Sequence, residues 1–234
     1  MKVSEMVIKI KEQEKSRQTR SARPFVNFMK KVDTANKLYK EIRTKINEIE
    51  LVKEAKNQFI IVLITAFEVY FRDLFKVVFK LCNNEKVYEG CLRINIDQKF
   101  TLKDLIHIYK DDLKIEDIIL QCVNFQNMYS VDEVFSALVN KKVIAELSVG
   151  EFVTGGPKKL NISLPRDWFK EINELLDLRH KTVHDINFLI EIDDKRIEKF
   201  LNYLYIFITI FDIYIHRGFI EPNLREVFVK KSIK

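Results

Sequence analysis

The chain has 234 residues, 47% hydrophobic and 32% charged, which is enough to bury a core in one large domain and too apolar for a disordered chain. With 5 Gly and 4 Pro it lacks the turns that a β-sandwich or barrel needs, so an all-α protein is expected, an antiparallel helical bundle. The net charge of +6 favours polyanionic partners such as nucleic acid, and Cys82, Cys91 and Cys122 without CxxC spacing read as reduced, small, buried side chains of a cytoplasmic protein.

Residues 1–24 are polar and basic and carry no apolar signal segment. They read as an N-terminal arm, either a short amphipathic helix over "VSEMVIKIKE" with a loop or a frayed end. In both cases Arg17, Arg20 and Arg23 are placed to touch phosphates, or are simply solvated. The rest, 25–234, reads as a single helical domain. From Phe25 to about Glu54, Val32, Ala35, Leu38, Tyr39, Ile42, Ile46, Ile49 and Leu51 recur at helical spacing, which predicts one exposed amphipathic helix. A second helix over 56–82 is apolar nearly all round in its first half and belongs at the centre of the bundle. The two are either continuous or separated by a kink.

Residues 83–165 predict a helical insertion between that central helix and the next long one. Within it, Thr101 with Asp104 and Ser130 with Glu133 have the spacing of helix-starting caps, and "IEDIILQCVNFQNM" is a further short helical pattern. "SVGEFVTGGPKKLNISLP" is a glycine-rich loop with room for a short strand pair. Trp168, Phe169, Ile172, Leu175, Leu176 and Val183 then form one helical stripe, interrupted at "DINF". Asp193 and Asp194 cap a long apolar final helix. The apolar runs "FIIVLITAF" and "FLNYLYIFITIF" are closed by Glu68 and Asp212. They read as core helices too short to span a bilayer, and no membrane partner is expected.

The chemistry concentrates in "DLRHKTVHD". His180 and His184 at i and i+4 have the spacing of two zinc ligands on a helix, but the glutamate of an HExxH site is missing and Lys181 lies beside them, so neither a metal nor any other cofactor is expected. Arg179 and His184 suit phosphodiester chemistry better. An imidazole near neutral pKa moves the protons of the 2′-hydroxyl and the leaving oxygen, and a guanidinium holds the phosphate and the charge that builds on it. Five residues apart on a straight helix, the two positions differ by roughly 140° in azimuth. They converge only if the helix loosens at its end or if two chains contribute. Asp185 is a candidate orienting group, Lys181 a candidate contact to RNA backbone, and Glu68 with Arg72 an i, i+4 pair that either pins the bundle or supports the cleft.

"LLDLRHKTVHD" followed by a linker and a long apolar helix resembles the signature of the HEPN superfamily of helical ribonucleases: an arginine, a polar residue, three further positions, then a histidine. "FIIVLITAFEVYFRDLF" is similar to the central helix that precedes the motif in stand-alone members. The resemblance implies a bundle that dimerises around a shared cleft. It implies metal-independent endoribonuclease activity, leaving 2′,3′-cyclic phosphate and 5′-hydroxyl ends, in a defence or toxin role. His184 is then the acid/base, Arg179 the phosphate and transition-state ligand, and His180 the supporting polar residue. A sensor or antitoxin protein is an implied regulatory partner. Ile186 stands where members paired with nucleotidyltransferase antitoxins tend to carry tyrosine, which argues against that mode. The alternative from the same residues is a catalytically silent module that binds RNA, a nucleotide or a protein.

Overall fold

The computed structural model describes residues 3–17, 20, 23–81, 85–96, 99–153, 161–184, 192–220 and 228–229. Its elements in chain order are α1 (Val3–Arg17), α2 (Pro24–Lys45), α3 (Ile49–Leu81), α4 (Glu85–Leu92), α5 (Leu102–Lys110), α6 (Ile115–Cys122), α7 (Met128–Val139), α8 (Val143–Val149), β1 (Glu151–Val153), β2 (Asn161–Ile162), α9 (Trp168–His184), α10 (Asp194–Ile215) and β3 (Phe228–Val229). The protein is all-α apart from one small antiparallel sheet, ordered β2-β1-β3. Its first two strands are the pair expected in the glycine-rich loop, with Phe152 opposite Ile162, and the third comes from near the end of the chain, with Phe228 opposite Phe152.

The bundle is organised around α3 and α10. Phe67, Phe71, Phe207 and Phe211 have no exposure, and their rings meet edge-on or stacked, Phe71 with Phe211 at 4.9 Å and Phe67 with Phe207 at 6.4 Å between centroids. That register makes α3 and α10 parallel. Tyr39 stacks on Phe59 at 5.2 Å and Phe28 meets Tyr70 at 5.9 Å, so α2 runs antiparallel to α3. Trp168 stacks on Phe207 at 5.0 Å, and Arg196 donates to Glu171 at 3.0 Å, which sets α9 antiparallel to α10. The segment 83–165 is woven into this core. Phe125 and Phe135 are buried and pack on Phe71 at 6.0 and 5.6 Å. Gly90 lets α4 cross α7 closely, since a Cβ there would sit 2.8 Å from the Ala137 carbonyl oxygen.

Several local expectations change. The break between the first two long helices falls at 46–48 and not near residue 55. α2 starts with Pro24 in its first turn and ends as Ile46 turns extended. The apolar period runs through this turn unbroken because both helices present Ile and Leu to a groove between them, lined by Ile42, Ile46 and Leu51, so periodicity alone could not find it. The cap of α7 is Asn127, whose side chain accepts from the Ser130 amide, and not Ser130 itself. The Thr101–Asp104 capping box and the Asp193 cap are present as expected. Cys91 and Cys122 are half-buried, not buried, and Cys82 lies outside the described residues.

Of the two readings of the N-terminus, a helix is present. α1 buries Val3, Met6, Val7 and Ile10, and Met6 and Ile10 form a small core with Ile118. The final helix with its π-helical turn, Asp194–Ile220, spans 27 residues and is long and apolar enough to cross a membrane, longer than the run read from sequence. Its residues Leu204, Phe207, Ile208, Ile210 and Phe211 are core residues of this chain with no exposure.

Candidate active site

α3 is apolar on most faces, yet Glu68, Arg72, Asp73 and Lys76 form a polar seam along it, and each needs partners because an isolated buried charge is costly. Those partners come from three directions. Arg179 reaches from α9 and donates through Nη1 to the Glu68 carboxylate. Arg20 donates to Asp73 at 2.9 Å, and Arg17 lies 3.5 Å from it. Lys76 pairs with Asp117 of α6. The seam therefore anchors the motif helix, the N-terminal helix and the insertion to one central rod.

At the motif itself, Glu68 and Arg179 retain 16% and 24% side-chain exposure, which places their pair at the edge of the core and not in bulk water. Burial pushes the Glu68 carboxyl above its usual range, against the pull of Arg179 and Arg72. Burial likewise lowers the pKa of Arg72, which Glu68 and Asp73 oppose. Arg72 Nη1 is buried without a hydrogen-bond partner. One carboxylate thus sits in the field of two guanidinium groups, leaving a net positive cluster. Glu68 takes one N–H of Arg179 and fixes the plane of the fork, while the guanidinium has five N–H donors in all. That is a suitable posture for gripping a phosphate.

α9 is helical through His184. A loosened helix end is therefore not what brings Arg179 and His184 together in one chain. Position 184 lies about 7.5 Å further along the axis and roughly 140° around it from position 179. Lys181 is exposed on the same helix. The side chains of His180 and His184, and all of Asp185, lie outside the described residues. Among the described residues no three His, Cys, Asp or Glu side chains gather as a metal site would require.

The structure brings Glu68, Arg72 and Arg179 together. Of the N-terminal arginines, Arg17 and Arg20 pair with Asp73, and Arg23 is exposed. Asp73 was the residue sequence reasoning passed over. The signal was there, an aspartate after Arg72 and before Leu74 on a mostly apolar helix, which must be met by cations. No family model matches the chain, and neither the curated proteins nor the solved structures compared with it give a match.

Proposed function

We propose that the chain is a metal-independent RNA endonuclease of HEPN type, acting as a pair of chains in the cytoplasm in a defence or toxin role. The observation that carries this reading is the Glu68–Arg179 pair: the arginine of the motif is held by a carboxylate, mostly buried but still reachable, at the rim of the core. Arg179 binds the non-bridging oxygens of the scissile phosphate through its free N–H groups. The His184 imidazole takes the 2′-hydroxyl proton, and the 2′-oxygen attacks phosphorus. The bond from phosphorus to the 5′-oxygen breaks, and that oxygen receives a proton from an imidazole. The products are a 2′,3′-cyclic phosphate and a 5′-hydroxyl, with no oxidant, reductant or metal consumed. His180 supports the histidine, Asp185 orients it, Lys181 steadies the RNA backbone, and Arg72 adds positive potential behind Arg179. Regulation by a sensor or antitoxin protein belongs to the same proposal.

The test is cleavage of single-stranded RNA in excess EDTA. Wild type is expected to cut, while Arg179→Ala and His184→Ala lose cutting by on the order of a hundredfold or more with unchanged circular dichroism. Cutting retained by His184→Ala, or abolished for wild type by EDTA, would refute the assignment.

A further inference from the structure

α5 is fixed by its ends and by one seat, not by burial along its length. Thr101 and Asp104 cap each other at its start, and the Asp111 amide closes its last turn onto the His107 carbonyl, so the helix holds its shape although none of its residues is buried. Its seat is the small core of α1 and α6. Ile108, with Phe100 before the helix and Leu113 after it, packs against Met6, Ile10 and Ile118. The remaining apolar side chains face away from that seat. Leu102 is 76% exposed, Leu105 51%, Ile106 46% and Tyr109 87%. Those positions follow the i, i+3, i+4, i+7 spacing and fall within an arc of about 100° on an ideal helix. The pattern that builds core elsewhere in the chain is here turned outward. Single exposed apolar residues need no partner, but four on one ridge form a contact surface.

The charges around the ridge are sorted by sign. Lys103 and Lys110 are exposed and edge the arc, roughly 40–60° beyond Ile106. The carboxylates of the helix lie on its far side, about 150° or more from the centre of the ridge, and both are engaged there. Asp104 accepts from the Thr101 amide at 2.9 Å and from its hydroxyl at 2.8 Å, and Asp111 pairs with Lys11 at 2.8 Å. Beyond the helix, Asp112 and Lys114 are both exposed and offset one another. The ridge therefore presents apolar side chains and positive charge with no carboxylate among them.

We propose that α5 is a membrane-surface anchor, its Leu102–Leu105–Ile106–Tyr109 ridge entering the headgroup region of an anionic bilayer while Lys103 and Lys110 reach the lipid phosphates. A ridge of this kind is complementary to a layer that is apolar below and negative at its surface. The lysine stems run along the apolar side chains and keep their ammonium groups at the phosphates. Tyr109 suits the boundary, with its ring in the acyl region and its hydroxyl in the wet layer. A protein partner would need a groove with carboxylates on one bank and room for α1 on the other, whereas a bilayer adapts to the ridge without such a fit. The nine residues of α5 make a rod about 13 Å long, which lies in the surface and does not cross it. Binding is thus peripheral and sensitive to salt. It belongs to α5 and stands whether or not the chain cuts RNA.

Flotation of the full chain with vesicles tests the anchor, using phosphatidylcholine alone or with about one-third phosphatidylglycerol. Wild type is expected to bind the anionic vesicles on the order of tenfold tighter than the neutral ones and to lose that margin in about 1 M salt. Leu102→Gln with Tyr109→Gln is expected to weaken binding on the order of tenfold or more, with an unchanged melting profile because both side chains are exposed. That variant keeps the net charge of +6, so it separates the ridge from the general attraction of a basic chain. Lys103→Gln with Lys110→Gln is expected to weaken anionic binding on the order of tenfold and to leave neutral binding unchanged. Tyr109→Trp reads the depth. Its emission should move to the blue and be quenched by brominated acyl chains, while the native Trp168, 3% exposed, gives a constant background. Equal binding to both vesicle types, wild-type binding by the Leu102→Gln with Tyr109→Gln chain, or unquenched Tyr109→Trp emission overturns the proposal. So does an absence of vesicle binding, which leaves the ridge to a protein partner.

Discussion

Replacing Glu68 by alanine strips the anion from between two guanidinium groups. Arg179 loses its carboxylate partner, and Arg72, whose Nη1 already lacks a hydrogen bond, loses the nearest compensating charge. Breaking a fully buried ion pair from one side costs about 3–5 kcal/mol. The 16% and 24% exposure of Glu68 and Arg179 lets water reach the orphaned group and brings the expected cost down to about 2–3 kcal/mol. For a chain of this length that lowers the melting temperature by about 5–10 °C. Glu68→Gln keeps an acceptor for Arg179 without the charge and should cost about half as much. The assay is a double-mutant cycle by chemical denaturation with Glu68→Ala, Arg179→Ala and the double variant, for which the coupling is expected at about 1.5–3 kcal/mol. A coupling below about 0.5 kcal/mol, or a Glu68→Ala melting temperature within about 1 °C of wild type, refutes the claim that Glu68 holds Arg179.

Three further outcomes follow from the packing. Asp212 accepts from the Tyr70 hydroxyl at 3.0 Å and lies 3.8 Å from His216, and burial pushes its carboxyl pKa up. The folded state therefore holds that proton more tightly than the unfolded chain. The stability it contributes is full below the usual carboxylate range and is lost as pH rises through the elevated pKa. Asp212→Asn keeps the acceptor and removes the titration, so its melting temperature should gain on wild type as pH rises above the usual carboxylate range; parallel curves would contradict this. Gly90→Val puts side-chain atoms where α4 meets the Ala137 carbonyl and should cost about 1–3 kcal/mol in urea denaturation, whereas a neutral result would mean that α4 shifts freely. Asp73→Asn unfastens Arg17 and Arg20, and amide exchange in α1 should quicken on the order of tenfold while that in α10 is unchanged.

The sequence was most legible where a single physical rule decided the outcome. Scarce Gly and Pro with 3.6-residue apolar spacing were enough for an all-α chain, and the aromatic density of 59–79 and 200–211 marked α3 and α10 as the core rods. Glu68 stood out as a charge inside an apolar run, and it proved to be the residue that meets Arg179. What stayed hidden depended on partners distant in the chain. The inward turn of Arg17 and Arg20 required knowing that α1 lies against Asp73. The joining of Phe228 to β1 required a contact across some 75 residues. The turn at 46–48 was hidden by the groove itself, because Ile46, Ile49 and Leu51 keep the apolar period through it.

The central claim is that Arg179 and an imidazole of the motif drive attack by the 2′-hydroxyl on the adjacent phosphate. The most direct measurement compares an RNA oligonucleotide with the DNA oligonucleotide of the same sequence in EDTA and identifies the fragment ends by mass spectrometry. The account predicts RNA fragments ending in 2′,3′-cyclic phosphate and beginning with 5′-hydroxyl, and an uncut DNA strand. Cleavage of the DNA, or RNA fragments carrying 5′-phosphate, would contradict it, because neither product arises through a 2′-oxygen nucleophile.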